Sequence, residues 1–120
     1  MVPYTNYRFI HSDERLLEIA CRFSPRTGKL ATGRILTGDQ FITASHRSGH
    51  AKAFAELAGD AVEMEGASVA LVAEINRVPW LISRTISDRA DGSAHIDFTS
   101  FLPRASDQAH DFVAYMLGQI

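Results

Sequence analysis

Three short stretches carry residue types that could act on a small molecule. The first is VEMEGAS, residues 62–68. Glu63 and Glu65 stand two apart at the end of a short strand-like run, and side chains at i and i+2 share a strand face. A carboxylate there can accept two hydrogen bonds, which suits the vicinal diol of a ribose. The plainer alternative is a solvated acidic strand end. Gly66 allows a tight turn into the next segment. The second stretch is RTISDRADGSAHIDF, residues 84–98, where Ser87 and Asp88 follow an apolar run. Asp88 could cap a turn, or it could donate a proton. A purine leaving an N-glycosidic bond departs as an anion unless its N7 is protonated. A carboxylic acid beside N7 does this if its pKa is held up toward the working pH. The third is TGDQFITAS, residues 37–45. Phe41 could stack on a planar base while the backbone of Ile42 reads the base edge; alternatively both are core residues. His46 and His50 are four apart, but no third ligand and no HExxH pattern accompanies them, so no metal site is expected. His95, in the loop after Asp88, reads as a solvent histidine, with a place in a pocket wall as the alternative.

These groups need a scaffold that brings strand ends together, because ligands of open α/β sheets bind beyond the carboxyl ends of the strands. Ser12 reads as a helix N-cap, with Asp13 and Glu14 suiting the positive end of the helix dipole. Leu16, Ala20 and Phe23 form an apolar stripe at helical spacing, and Pro25 and Gly28 end that helix. Residues 30–37 are β-like and 48–58 helical, closed by Gly59-Asp60. Residues 61–65 form a short strand, 66–76 a helix rich in Ala and Val, and 79–86 (PWLISRTI) a strand of buried type. A polar loop follows over 87–97. A final amphipathic helix over 100–117 carries Phe101, Ala105, Phe112 and Met116, with Pro103 tolerable only if the helix begins just before it. The order α-β-α-β-α-β-α predicts an α/β protein with a mostly parallel sheet and flanking helices. Three strands make a thin sheet, and a parallel sheet wants its faces and edges covered. Residues 1–120 therefore read as a single partial domain of something larger.

Composition narrows the function class. The chain has 120 residues, 46% hydrophobic and 22% charged, as folded proteins do. A net charge of -2, with its basic residues scattered, argues against a nucleic-acid surface. The one cysteine, Cys21, cannot form an intrachain disulfide and reads as a small helix residue, which fits a reducing compartment. No apolar run approaches the ~18 residues of a membrane span, and the first residues do not resemble a signal peptide. A cytoplasmic location without membrane contact is expected.

Taken together, GDQFI (38–42), VEMEGAS (62–68) and VPWLISRTISDRADGSAHIDFTSFL (78–102) are similar to the corresponding motifs of the 5′-methylthioadenosine/S-adenosylhomocysteine nucleosidases. That family lies within the nucleoside phosphorylase and hydrolase superfamily. Order and spacing agree, and the resemblance runs from about Val2 to the C-terminus. Arg84 before the Ser-Asp pair favours the nucleosidase branch. The resemblance implies the C-terminal half of a three-layer nucleoside phosphorylase-like fold that binds an adenine nucleoside and hydrolyses its N-glycosidic bond without metal or organic cofactor. It implies that Phe41 stacks on adenine and Ile42 bonds the base edge through its backbone. Glu63 and Met64, with Val62 beside them, line the ribose pocket. Glu65 holds the ribose hydroxyls and stabilises the oxocarbenium-like transition state. Ser87 orients Asp88, which protonates N7, and Arg84, Ala90 and Phe98 complete the wall, Phe98 near the 5′ substituent. Family members are about twice as long. Their first half carries the glutamate that activates water and much of the dimer surface. The expectation is a partial chain, inactive alone, that pairs with itself or with a complementary N-terminal half. The rival readings are a purine nucleoside phosphorylase fragment and an inactive nucleoside-binding or oligomerisation module.

Overall fold

The computed structural model describes residues 8–40, 45, 49–86 and 98–120. Among these it is α/β, with four helices around a two-stranded sheet. Helix α1 spans Glu14–Cys21, strand β1 Ile35–Thr37, helix α2 Ala51–Leu57 and strand β2 Ala61–Glu63. Helix α3 spans Gly66–Ile75 and helix α4 Phe98–Gln119. The two strands run parallel, with Ile35 opposite Ala61, Leu36 opposite Val62 and Thr37 opposite Glu63. Parallel strands need a crossover connection, and α2 lies within it. Arg34 and Asp60 set the register at the strand entry. The Asp60 amide donates to the Arg34 carbonyl at 2.8 Å, and the Arg34 amide donates to the Asp60 carboxylate at 2.8 Å.

Two packing groups result. In one, α1 lies against α4. Ile19, Ala20 and Met116 are buried there, with Leu16, Leu81, Phe112 and Tyr115 packed around them. Phe23, just past α1, meets the rings of Phe112 and Tyr115 at centroid distances of 5.3 Å each. The Tyr115 hydroxyl donates to the Ile19 carbonyl at 2.9 Å. Arg26 adds a two-pronged ion pair to Asp111 at 2.9 and 3.1 Å. In the other group, α3 packs on β1 and the strands pair. The segment after α3 joins the two groups. Its Trp80 carbonyl accepts the Asp13 amide at 2.9 Å, and its Leu81 enters the α1–α4 core.

Several sequence expectations need correction. The N-cap of α1 is Asp13, whose carboxylate accepts the Leu16 amide at 2.9 Å; Ser12 lies one residue outside. Residues 30–34 stay outside β1, which has three residues. PWLISRTI forms no strand, so the described sheet has two strands and not three. An apolar run signals burial but does not choose a pairing partner, and the Trp80 carbonyl is engaged by the entry to α1. Helix α4 begins five residues before Pro103, which therefore lies inside it. The ends of α2 and α3 fall close to expectation, but their caps do not use glycine. Ala58 and Arg77 adopt positive φ angles of 48° and 57°. No helix among the described residues is long and apolar enough to cross a membrane.

Candidate active site at the strand ends

The sheet delivers Thr37 and Glu63 side by side, because each is the last residue of its strand and the two are register partners. The Gly38 amide then donates to the Glu63 carbonyl at 2.9 Å, extending the pairing by one bond. Beyond Glu63 the chain bends through Met64 and Glu65 and enters α3 at Gly66. The first amides of a helix lack internal acceptors, and here the neighbouring side chains accept from them. Glu63 Oε2 accepts the Glu65 amide at 3.0 Å and the Gly66 amide at 2.7 Å. Thr37 Oγ1 accepts the Ala67 amide at 2.8 Å and donates to Glu63 Oε1. A methyl group on Gly66 would stand 2.8 Å from Glu63 Oε1, so a Cβ there would force the Glu63 carboxylate to shift.

Arg84 closes the cluster. Its Nη2 bonds Glu63 Oε2 and lies 3.2 Å from Glu65 Oε2, so one guanidinium nitrogen links both carboxylates. The two acids differ sharply in setting. The Glu63 side chain is 9% exposed and that of Glu65 68%. Burial pushes the Glu63 carboxyl upward, but hydrogen bonds from Thr37, the Glu65 and Gly66 amides and Arg84 outweigh it. Its pKa lies below the ordinary 4.5. Glu63 is thus an internal ligand of the helix start, whereas Glu65 offers a carboxylate to solvent beside a cation.

Of the sequence-predicted site residues, the structure brings Glu63, Glu65 and Arg84 into one cluster. Val62 is half-buried in β2 opposite Leu36, and Met64 is exposed at the bend. Phe41, Ile42, Ser87, Asp88, Ala90 and the side chain of Phe98 lie outside the described residues, as do His46 and His95. Among the described residues, no group of three or more His, Cys, Asp or Glu side chains is placed to hold a metal. Thr37 was not singled out from sequence. It stands in the TGDQ motif, but its link to Glu63 depends on strand register, which no local pattern displays.

A family profile described as the phosphorylase superfamily matches residues 2–118. The chain is 38% identical over 111 residues to a 5′-methylthioadenosine/S-adenosylhomocysteine nucleosidase of Actinobacillus succinogenes, covering 91% of this chain and 47% of that protein. It is 39% identical over 112 residues to an aminodeoxyfutalosine nucleosidase of Campylobacter jejuni, covering 92% and 48%. A methylthioadenosine/S-adenosylhomocysteine nucleosidase of Haemophilus influenzae is 35% identical, covering 91% and 48%. The chain spans about half the length of these relatives. No solved structure matches it.

Proposed function

The chain belongs to the phosphorylase superfamily, and from that membership we propose that it is the C-terminal half of a nucleosidase domain hydrolysing the N-glycosidic bond of an adenine nucleoside. The observation that carries the reading is Glu65, an exposed carboxylate just past a parallel strand, tethered to Arg84 at 3.2 Å. An anionic acceptor at that place suits the ribose diol and the positive charge that develops on the sugar as the bond breaks. In the reaction the C1′–N9 bond opens, the electron pair leaves with adenine, and water adds at C1′. Asp88 supplies a proton to N7 and Ser87 orients it. Phe41 stacks on the base, Ile42 binds its edge, and Val62, Glu63, Met64, Ala90 and Phe98 border the pocket. Arg84 steers Glu65.

The remaining layer of the three-layer fold, and the base that activates water, belong to the other half of such a domain. The identities to relatives named for methylthioadenosine and for aminodeoxyfutalosine are nearly equal, at 38% and 39%. The 5′ substituent is therefore to be read from a substrate panel. The test joins this chain to the first half of the Actinobacillus succinogenes relative and measures adenine release from methylthioadenosine. Release by the pair and none by the chain alone is expected. A folded pair without release overturns the nucleosidase reading. Turnover by the lone chain at ordinary enzyme rates, ~1–10³ s⁻¹, overturns the half-site reading.

A further inference from the structure

Thr37 has no part in the reaction just described, yet the cluster is built around its hydroxyl. A hydroxyl has one proton to donate and two lone pairs. Thr37 gives its proton to Glu63 Oε1 and accepts the Ala67 amide at 2.8 Å. Glu63 Oε2 meanwhile accepts from the Glu65 and Gly66 amides and from Arg84. Four donors fill about as many lone-pair sites as a carboxylate has. Glu63, with a side chain 9% exposed, has little acceptor capacity left for a ligand, and its orientation is set by the groups that bond it. Its outward contact is Arg84, and Arg84 reaches Glu65 through the same Nη2. The charged groups in contact with Glu63 are thus Arg84 and, through it, Glu65.

We propose that Thr37 is a positioning residue for the ribose-binding carboxylate: its hydroxyl fixes Glu63 against the first turn of α3, Glu63 fixes Arg84, and Arg84 holds Glu65 in the orientation that accepts the sugar diol. This rests on the reading of Glu65 given above. Valine in place of Thr37 keeps the shape and the stiff β-branched χ1 but leaves the Ala67 amide without an acceptor and Glu63 Oε1 without a donor. The carboxylate then turns toward its remaining donors on Oε2, and the guanidinium follows it. Glu65, at 68% exposure, loses its fixed partner and samples solvent.

Two readouts test this in Thr37→Val and Thr37→Ser. The first is an NMR titration of the Glu63 carboxyl in the 120-residue chain. An upward shift of its midpoint in Thr37→Val, and the wild-type midpoint in Thr37→Ser, are expected. If serine, which loses only the methyl, disturbs Glu63 as much as valine does, Thr37 acts through packing and the proposal is overturned. Should Thr37→Val not fold, Thr37→Ser decides alone: a wild-type midpoint supports the hydroxyl role and a raised one overturns it. The second readout is the affinity of the chain, joined to its complementary half, for methylthioadenosine and for its 2′-deoxy analogue. Thr37→Val lowers the preference for the diol about tenfold, the equivalent of one hydrogen bond to a charged group. Thr37→Ser keeps it. Equal weakening toward both nucleosides marks a general packing defect and overturns the proposal. A wild-type complex that binds neither nucleoside overturns the nucleosidase reading and the ribose role of Thr37 with it, while the titration still reports whether Thr37 holds Glu63.

Discussion

Glu63 and Glu65 are the same residue type two positions apart, and their surroundings give them opposite tasks. The sequence made both candidates for one pocket, because spacing describes a shared face and not a shared environment. The bend at Met64 and Glu65 ends the strand after Glu63, so one carboxylate turns in to the helix start and the other stays in solvent. The depressed pKa of Glu63 has a stability consequence whose sign is fixed. A carboxyl with a native pKa below its unfolded value stabilises the fold fully above the ordinary 4.5. That contribution is lost as the pH falls through the native pKa. Glu63→Gln should therefore lower stability at pH 7 by about 2 kcal/mol, the scale of a hydrogen bond to a charged group. The difference from wild type should shrink below pH 4.5. Thermal unfolding of both proteins across pH 3–7, a range bracketing the carboxylate values, checks it; a constant difference would sink the assignment. Gly66→Ala is a sharper case. Helix propensity favours alanine by up to about 1 kcal/mol, but the new methyl meets Glu63 Oε1 at 2.8 Å. Displacing a carboxylate held by charge-assisted bonds outweighs that gain, so the variant should be the less stable one in denaturant titration.

The helices and the pairing of periodic segments were legible at the level of elements. Phe101, Ala105, Phe112 and Met116 do share the inward face of α4, since a 3.6-residue period is visible in any sequence that has it. What was not legible depends on contacts distant in the chain. The Trp80 carbonyl bonds the entry of α1, 67 residues earlier by subtraction of 13 from 80, and no local pattern records that. The extent of α3 was legible, since it spans Gly66–Ile75 with Asn76 as its C-cap, but the left-handed conformation of Arg77 just beyond the cap was not. The Val78 amide donates to the Ala73 carbonyl at 2.9 Å and the Arg77 amide to the Glu74 carbonyl at 3.1 Å. This is the paired bond pattern of a Schellman turn, a position that glycine fills without steric strain. Arg77→Gly should accordingly stabilise the protein by about 0.5–1 kcal/mol, net of the extra entropy glycine loses on folding. A lower melting temperature for that variant would contradict the cap assignment.

At the scale of the molecule, the chain is thin, with extents of 43 × 41 × 18 Å. Its radius of gyration is 15.5 Å, against about 14 Å expected for a compact domain of this length. Among the described residues four hydrophobic side chains are buried and twelve large ones are exposed, so the interior is small for the apolar surface left in solvent. Helix α3 shows this most clearly. Apart from Ser68 and Glu74 its residues are apolar or small on every side, a pattern of helices that are largely buried, yet Val69, Val72 and Ile75 are 57%, 62% and 56% exposed. Sedimentation of the chain alone should show association at ~100 μM, and Val69→Ser with Val72→Ser should reduce it; a clean monomer at that concentration would count against an incomplete domain. The segment joining the two packing groups has a kinetic consequence. The α1–α4 group and the strand–α3 group have separate interiors, tied through Leu81, the bond between the Asp13 amide and Trp80 carbonyl, and the Arg34 guanidinium 4.1 Å over the Phe9 ring. Ties this few let each group open without the other, which makes them distinct cooperative units. Native-state amide exchange should then resolve two isotherms: one for Leu36 and Val62 in the ladder, another for Ile19 and Met116 in the helices. Leu81→Ala should move those isotherms further apart, because it loosens the side chain through which the opening of one unit is felt by the other.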